Sequence, residues 1–345
     1  MKNKIRILSL DGGGIRGIIT CVILKYIEEQ LQKLDHPQAR IGDYFDLVAG
    51  SSTGGIIVAL ILFPDETNKA KFSIQDALDL YAKRGEEIFN VHFWEHLLNP
   101  FGLFKEKISQ KNIEKQLDEV FNNLELKNLV KPCLITAYDI NSRKAKFFCS
   151  HEAHDGLENF YVKDVCRATS AAPTYFEPAK IKSLYNQEFI LVDGGVYANN
   201  PAMCAFAEAR KLDFSKILNH PDKVDFPNVN DILMVSIGTG QVLKPYTFKE
   251  FENAGKLKWI SPLIDILLTS NAETVDYYLQ QMYNDLGPRN QKNYYRIMPE
   301  LNNASPEMDD TSVVNIEALI QAGLAYIDQN RQLLTDIAKK LIKNK

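Results

Sequence analysis

No stretch of this chain comes near the ~20 consecutive apolar residues that a membrane-spanning helix needs. Met1-Lys2-Asn3-Lys4 runs straight into the first apolar segment, without an apolar leader of its own. A cytoplasmic protein, at most peripheral to a membrane, is therefore expected. Cysteine is scarce: Cys21, Cys133, Cys149, Cys166 and Cys204 are odd in number and scattered, which argues against a disulfide framework. Cys21, Cys133 and Cys204 fall in apolar segments and read as small buried hydrophobes. A basic excess is missing too, with 40 Lys and Arg against 44 Asp and Glu, so the surface has no general attraction for nucleic acid or an anionic bilayer. There is no basic arm, no zinc-type spacing and no RNA-binding aromatic motif, and no nucleic-acid polymer is expected as a partner. Linker-like composition, internal repeats and low complexity are also absent. One domain over 1–345 is expected, with a core over about 5–240 and a mainly helical part over about 241–345.

What is present alternates strand and helix patterns. Apolar runs predict strands at 5–10, 133–138, 144–149, 188–192 and 232–237. Helical spacing predicts helices near 18–34, 74–90, 109–122 and 162–170. Ile19, Ile23, Tyr26, Ile27 and Leu31 keep that spacing in the first helix, and Ile113, Leu117, Val120 and Phe121 share one face of the third. Asn141-Ser142 reads as a turn joining two neighbouring strands, and Pro201 stands at a favoured helix start. This order implies an α/β fold with a largely parallel sheet, helices on both faces and ligands at the strand carboxyl ends.

Two glycine turns carry the chemistry. Gly50-Ser51-Ser52-Thr53-Gly54 lies between the apolar run before Gly50 and the apolar helix pattern that Pro64 stops. A G-x-S-x-G turn between strand and helix lifts its serine hydroxyl into the open. A turn in which Ser52 merely caps a helix is the plainer alternative. Asp11-Gly12-Gly13-Gly14-Ile15-Arg16-Gly17 follows the first strand and opens a helix, a run of N–H groups suited to developing negative charge. Gly12-x-Gly14-x-x-Gly17 also fits a dinucleotide fingerprint, but the acid that should end a second strand about 20 residues on is replaced by Glu28-Glu29-Gln30 inside a helix pattern. No Gly-Lys-Ser/Thr follows, so a P-loop is excluded as well. The third feature is Asp193-Gly194-Gly195 after the strand at 188–192. Asp-Gly is common turn chemistry, yet beside the other two motifs it reads as the base of an acyl hydrolase. His36, His92, His96, His151, His154 and His220 lie in no tight motif. His92 and His96 share a helix face at i, i+4, but no third ligand accompanies them, and no metal is expected.

These residues give the chain a family resemblance. It resembles the patatin-like phospholipases in DGGGIRG (11–17), GSSTGG (50–55), ATSAAPTYF (168–176), VDGGVYANNP (192–201) and SIGTG (236–240), and on through Tyr277-Tyr278, Asn293–Arg296 and Glu307–Asp310. The order and spacing hold over nearly the whole chain, closest to the plant storage-type members. The resemblance implies a three-layer α/β/α patatin-like fold and a Ser-Asp dyad that needs neither histidine nor cofactor. Ser52 would be the nucleophile and Asp193 the general base. The Gly13 and Gly14 amides, helped by Gly12 or Gly17, would form the oxyanion hole, and Arg16 would support that loop. Gly50, Gly54, Gly194 and Gly195 would shape the elbow and the aspartate turn. An aspartate with the ordinary pKa of ~3.9 is a poor base, so Asp193 requires a dry pocket, for which Ala171-Ala172-Pro173 could supply a wall.

The implied activity is phospholipase A-type hydrolysis of fatty-acyl esters in membrane glycerophospholipids, by a protein peripheral to the membrane while acting. Two alternatives stay open. One is a bacterial antiviral effector phospholipase switched on by a cyclic nucleotide through homo-oligomer assembly, with regulation at 219–230 or 88–104. The other is a storage or binding protein with residual esterase activity. The aromatic stretches 88–94 and 97–104, followed by Lys105 and Lys107, read as core packing or as a lipid contact. The basic end at 339–345 reads as a solvated helix terminus.

Overall fold

The computed structural model describes residues 2–89, 108–155, 157–241, 245–287 and 291–345. Eight strands form one sheet: β1 (Ile5–Leu10), β2 (Leu47–Ser51), β3 (Cys133–Asp139), β4 (Lys144–Cys149), β5 (Ala179–Lys182), β6 (Glu188–Asp193), β7 (Ile232–Ile237) and β8 (Tyr294–Ile297). The order is β5-β6-β3-β2-β1-β7-β8, with β4 paired to β3. The pairs β3-β2, β2-β1, β1-β7 and β7-β8 are parallel, while β4 and β6 run antiparallel to β3. Every residue of β1, β2 and β7 is buried, as expected of central parallel strands covered on both faces.

Alternation divides β1 between two cores. Leu8 and Leu10 face one layer of helices, and Ile5 and Ile7 face the other. The first layer holds α1 (Gly17–Leu34), α2 (Thr53–Ile61), α3 (Ile74–Phe89), α4 (Ile108–Phe121), α5 (Val162–Thr169) and the long C-terminal helix Val313–Lys343. The second contains Ala202–Ala209 and Lys256–Asn284, whose Leu279 and Tyr283 are buried. The first half of α1 is buried all round, because it lies between the sheet and the C-terminal helix. Ile113, Leu117 and Phe121 of α4 face inward as their spacing predicts. The turn between β3 and β4 is organised by Asp139, whose carboxylate accepts from the Asn141 and Ser142 amides.

The sequence did not signal β5 or β8, each of four residues and at the sheet margins. Cys21, Cys133, Cys149 and Cys166 are buried and all five thiols are free, but Cys204 is half-buried rather than buried. Among the described residues no helix is long and apolar enough to cross a membrane.

Beneath the amino end of β1 lies a buried charge cluster. Asp46 pairs with Arg6 (2.7 Å) and with Lys223 (2.9 Å), and all three side chains are at most 3% exposed. Arg6 and Lys223 also donate to the carbonyls of Leu341 and Asn344, tying the C-terminal helix to the sheet. Asp46→Ala would leave two buried cations without their shared anion. Urea unfolding should show a loss of roughly 3–5 kcal/mol. Lys2→Ala, which removes the exposed pair with Asp225, should change stability by less than about 1 kcal/mol. Equal effects of the two substitutions would contradict this reading.

Candidate active site

The site is built on one edge of β3. β2 ends at Ser51, opposite Thr136, and β6 ends at Asp193, opposite Ala137, the next residue of β3. β4 occupies the other edge over Leu134–Asp139. Because β2 runs parallel to β3 and β6 antiparallel, their carboxyl ends meet head-on. The sequence placed Asp193 at a strand end in a largely parallel sheet. The strand end is there, but its direction is reversed, and this reversal turns the two ends toward each other.

Ser52 follows immediately, with φ 54° and ψ −125°, a backbone state that non-glycine residues rarely adopt. Its amide donates to Thr169 Oγ1 (2.9 Å), and that hydroxyl donates to the Thr136 carbonyl (2.7 Å). Its carbonyl accepts from the Gly55 and Ile56 amides and starts α2. The turn is tight enough to need glycine at Gly54, where a Cβ would stand 2.2 Å from the Leu10 carbonyl oxygen. Gly50 lies against the Gly54 carbonyl on the inner side of the same turn.

The Ser52 hydroxyl lies close enough to the Asp193 carboxyl to favour its charged form. The Gly195 amide donates to Asp193 Oδ1 (2.6 Å), the Asp193 amide donates to the Ala171 carbonyl (2.9 Å), and Gly194 lies against Thr136. The Asp193 carboxyl is pushed up to about 7, because burial disfavours its charge more than the nearby Ser52 hydroxyl and the Gly195 amide favour it. No basic group is among the causes of that shift, so desolvation sets the balance.

The glycine loop stands across from this pair. The Gly12 amide donates to the Asn199 carbonyl (3.1 Å), and the Gly17 amide closes the 3-10 turn onto Gly14 and Ile15. The Gly12 and Gly17 amides thus already have acceptors within the chain, unlike those of Gly13 and Gly14. Gly13 and Gly14 line the cleft, and among the described residues no acceptor meets either amide. Arg16 is buried beside the loop, with Nε donating to the Gly13 carbonyl (3.4 Å). Gly14 has φ +58°, and a Cβ there would stand 2.2 Å from the Met308 carbonyl oxygen.

Gly13, Gly14, Ser52 and Asp193 line one cleft, part of it open to solvent. Ala172, Pro173, Phe176, Val196, Ile264 and Leu268 give it a mostly apolar wall, and no histidine lines it among the described residues. Of the wall residues to which the sequence pointed, Ala172 and Pro173 line the cleft and Ala171 does not. The sequence assigned no role to Asn199, Thr169 or Met308, although all three lie in or beside the quoted motif segments. Ile264 and Leu268, one helical turn apart on Lys256–Asn284, had no signal beyond that spacing. His92 and His96 lie outside the described residues. Cys149, His151 and Glu208 bring their ligand atoms within 4.8 Å of one another, away from the cleft lining. Glu208 there is already engaged by His151 (3.0 Å) and Lys211 (2.6 Å).

Residues 8–206 match the family model described as Patatin-like phospholipase. The chain is 34% identical to Patatin-like protein 2 of Oryza sativa subsp. japonica, over 94% of this chain and 84% of that protein. It is 32% identical to Patatin-like protein 4 of Arabidopsis thaliana (95% and 84%) and 33% identical to Probable inactive patatin-3-Kuras 1 of Solanum tuberosum (92% and 85%). Among solved structures, VipD from Legionella pneumophila aligns with a TM-score of 0.37 at 13% identity, covering 95% of this chain and 67% of that one. With the family model spanning more than half of the chain and relatives above 30% identity along nearly all of it, this protein belongs to the patatin-like phospholipase family.

Proposed function

We propose that the protein is a lipid acyl hydrolase that cleaves fatty-acyl esters of membrane glycerophospholipids, with Ser52 as nucleophile and Asp193 as general base. The observation that carries this reading is Ser52 set beside the buried Asp193 carboxyl in one apolar cleft, where burial brings that carboxyl to about 7. A base poised near the working pH transfers protons efficiently. The reading rests on these residues rather than on family membership, since one of the relatives is named as probably inactive.

The reaction runs in two halves. Ser52 Oγ attacks the ester carbonyl carbon while its proton passes to the Asp193 carboxylate. The oxyanion that forms is met by the Gly13 and Gly14 amides. Collapse expels the lysolipid alkoxide, which takes the proton from Asp193, and leaves an acyl-serine. A water then gives its proton to Asp193 and attacks the acyl carbon. Collapse of the second intermediate returns the proton to Ser52 and releases the fatty acid. The apolar wall suits an acyl chain and keeps bulk water off the carboxyl.

Ser52→Ala should abolish fatty-acid release from phosphatidylcholine vesicles while leaving the melting temperature within a few degrees of wild type. Release undiminished in that variant would end the proposal. For wild type, kcat/KM should fall about tenfold per pH unit below about 7, because only the ionised Asp193 can take the serine proton. A profile flat through that range would contradict Asp193 as the base.

Stability should move in the opposite sense. The folded carboxyl sits above its ordinary value of 3.8, so its contribution is fully present below that value and is lost as pH rises through about 7. Asp193→Asn removes the buried charge and should be inactive yet more stable than wild type near pH 8, by up to about 4 kcal/mol. Denaturant unfolding at about pH 8 and about pH 5 checks this, with the advantage expected to shrink at the lower pH.

A further inference from the structure

Gly13 and Gly14 line the cleft, their amides meet no acceptor among the described residues, and the rest of their loop is held from outside. The Gly12 carbonyl accepts from Thr239 Oγ1 (2.8 Å), and the Ile15 amide donates to the Met308 carbonyl (2.9 Å). The first residue of the loop, Asp11, has a buried carboxylate. Arg296 of β8 grips it with both arms: Nη1 donates to Oδ1 (2.9 Å) and Nη2 to Oδ2 (2.5 Å). The Arg296 and Asp11 side chains are 9% and 2% exposed. Nη1 also donates to Ser236 Oγ (2.8 Å), which in turn donates to Asn200 Oδ1 (3.3 Å), beside the Asn199 whose carbonyl holds the Gly12 amide. A planar two-armed donor fixes both position and rotation of a carboxylate, which a lysine cannot do.

We infer that Arg296 is a positioning residue of the hydrolase, acting through Asp11 to keep the Gly13 and Gly14 amides in place for the oxyanion. It does not line the cleft, and it lies beyond residue 206, where the family match ends. The inference rests on the acyl-hydrolase reading. On that reading, Arg296 stabilises the transition state and leaves the bound ester unaffected. Its removal should therefore lower kcat and leave KM unchanged.

The test uses the full chain and a soluble p-nitrophenyl ester, with rates taken per folded protein well below each melting temperature. The variants are Arg296→Lys, Arg296→Met and Asp11→Asn, the neutral pair Asp11→Asn/Arg296→Gln, and Ser52→Ala as a control. Loss of one oxyanion donor costs roughly 100- to 1,000-fold, so a loosened loop should cost roughly 10- to 100-fold in kcat. KM should stay within about twofold. The neutral pair keeps the site filled without a lone buried charge, so it should fold, and its kcat should be no lower than that of Asp11→Asn alone. Arg296→Lys, with its single point of contact, should not restore the rate.

Wild-type kcat in Arg296→Lys or in the folded neutral pair, with Ser52→Ala inactive, overturns the inference and leaves the hydrolase reading intact. A raised KM at constant kcat also overturns it, by making Arg296 a substrate-binding group. Hydrolysis that survives in Ser52→Ala, or is absent in wild type, removes the underlying reading and this inference with it.

Discussion

Two strands end against the same edge of β3, one residue apart, and the cleft depends on that abutment. β2 delivers Ser52 from one direction and β6 delivers Asp193 from the other. In a purely parallel sheet, neighbouring carboxyl ends lie side by side at the strand spacing of ~4.8 Å, and loops must bridge the remaining gap. Here the antiparallel strand lets the aspartate approach the serine directly, from a backbone anchored on both sides. The hydroxyl of Thr169 ties the elbow to Thr136 at the same level of β3. The geometry of the pair is thus a property of sheet register more than of loop conformation.

The same placement determines the electrostatics. A carboxylate at the end of a buried strand, with apolar neighbours and no basic partner, loses hydration without gaining a counter-charge. That is why its pKa rises, in contrast to Asp46, which is equally buried but held by Arg6 and Lys223 and kept below the ordinary range despite desolvation. Asp46 and Asp193 thus shift in opposite directions, and a cation alone does not set the sign, since desolvation raises Asp11 even beside Arg296. The strained backbone at Ser52 and the uncompensated Asp193 both oppose folding, and the doubly covered central strands offset them.

Much of this was legible in the residues. β1 and β7 were readable because central parallel strands are continuous apolar runs between helical patterns, and the elbow because its G-x-S-x-G turn lies between an apolar run and an apolar helix pattern. The parts that escaped are those whose signal is not local. Tyr294–Ile297 is too short to stand out, and nothing in Phe189–Val192 tells an antiparallel strand from a parallel one. The sequence shows the glycines at 12 and 17 to be as permissive as those at 13 and 14. Their difference appears only when Asn199 and the helix turn claim their amides. Ile264 and Leu268 reach the cleft through the packing of a helix more than two hundred residues away from the elbow, which no motif records.

The glycine loop also has a history along the chain. Asp11 and Arg296 are 285 positions apart, and the Met308 carbonyl that holds Ile15 comes later still. A growing polypeptide therefore carries Ser52 and Asp193 in hand long before the loop across from them can be clamped. Because Arg296 and Met308 come so late in the chain, the glycine loop is the first part of the cleft to be made and among the last to be fixed. The order of synthesis thus runs against the order of assembly, and a ribosome-bound chain shorter than about three hundred residues lacks the complete constellation, however well its first half has folded.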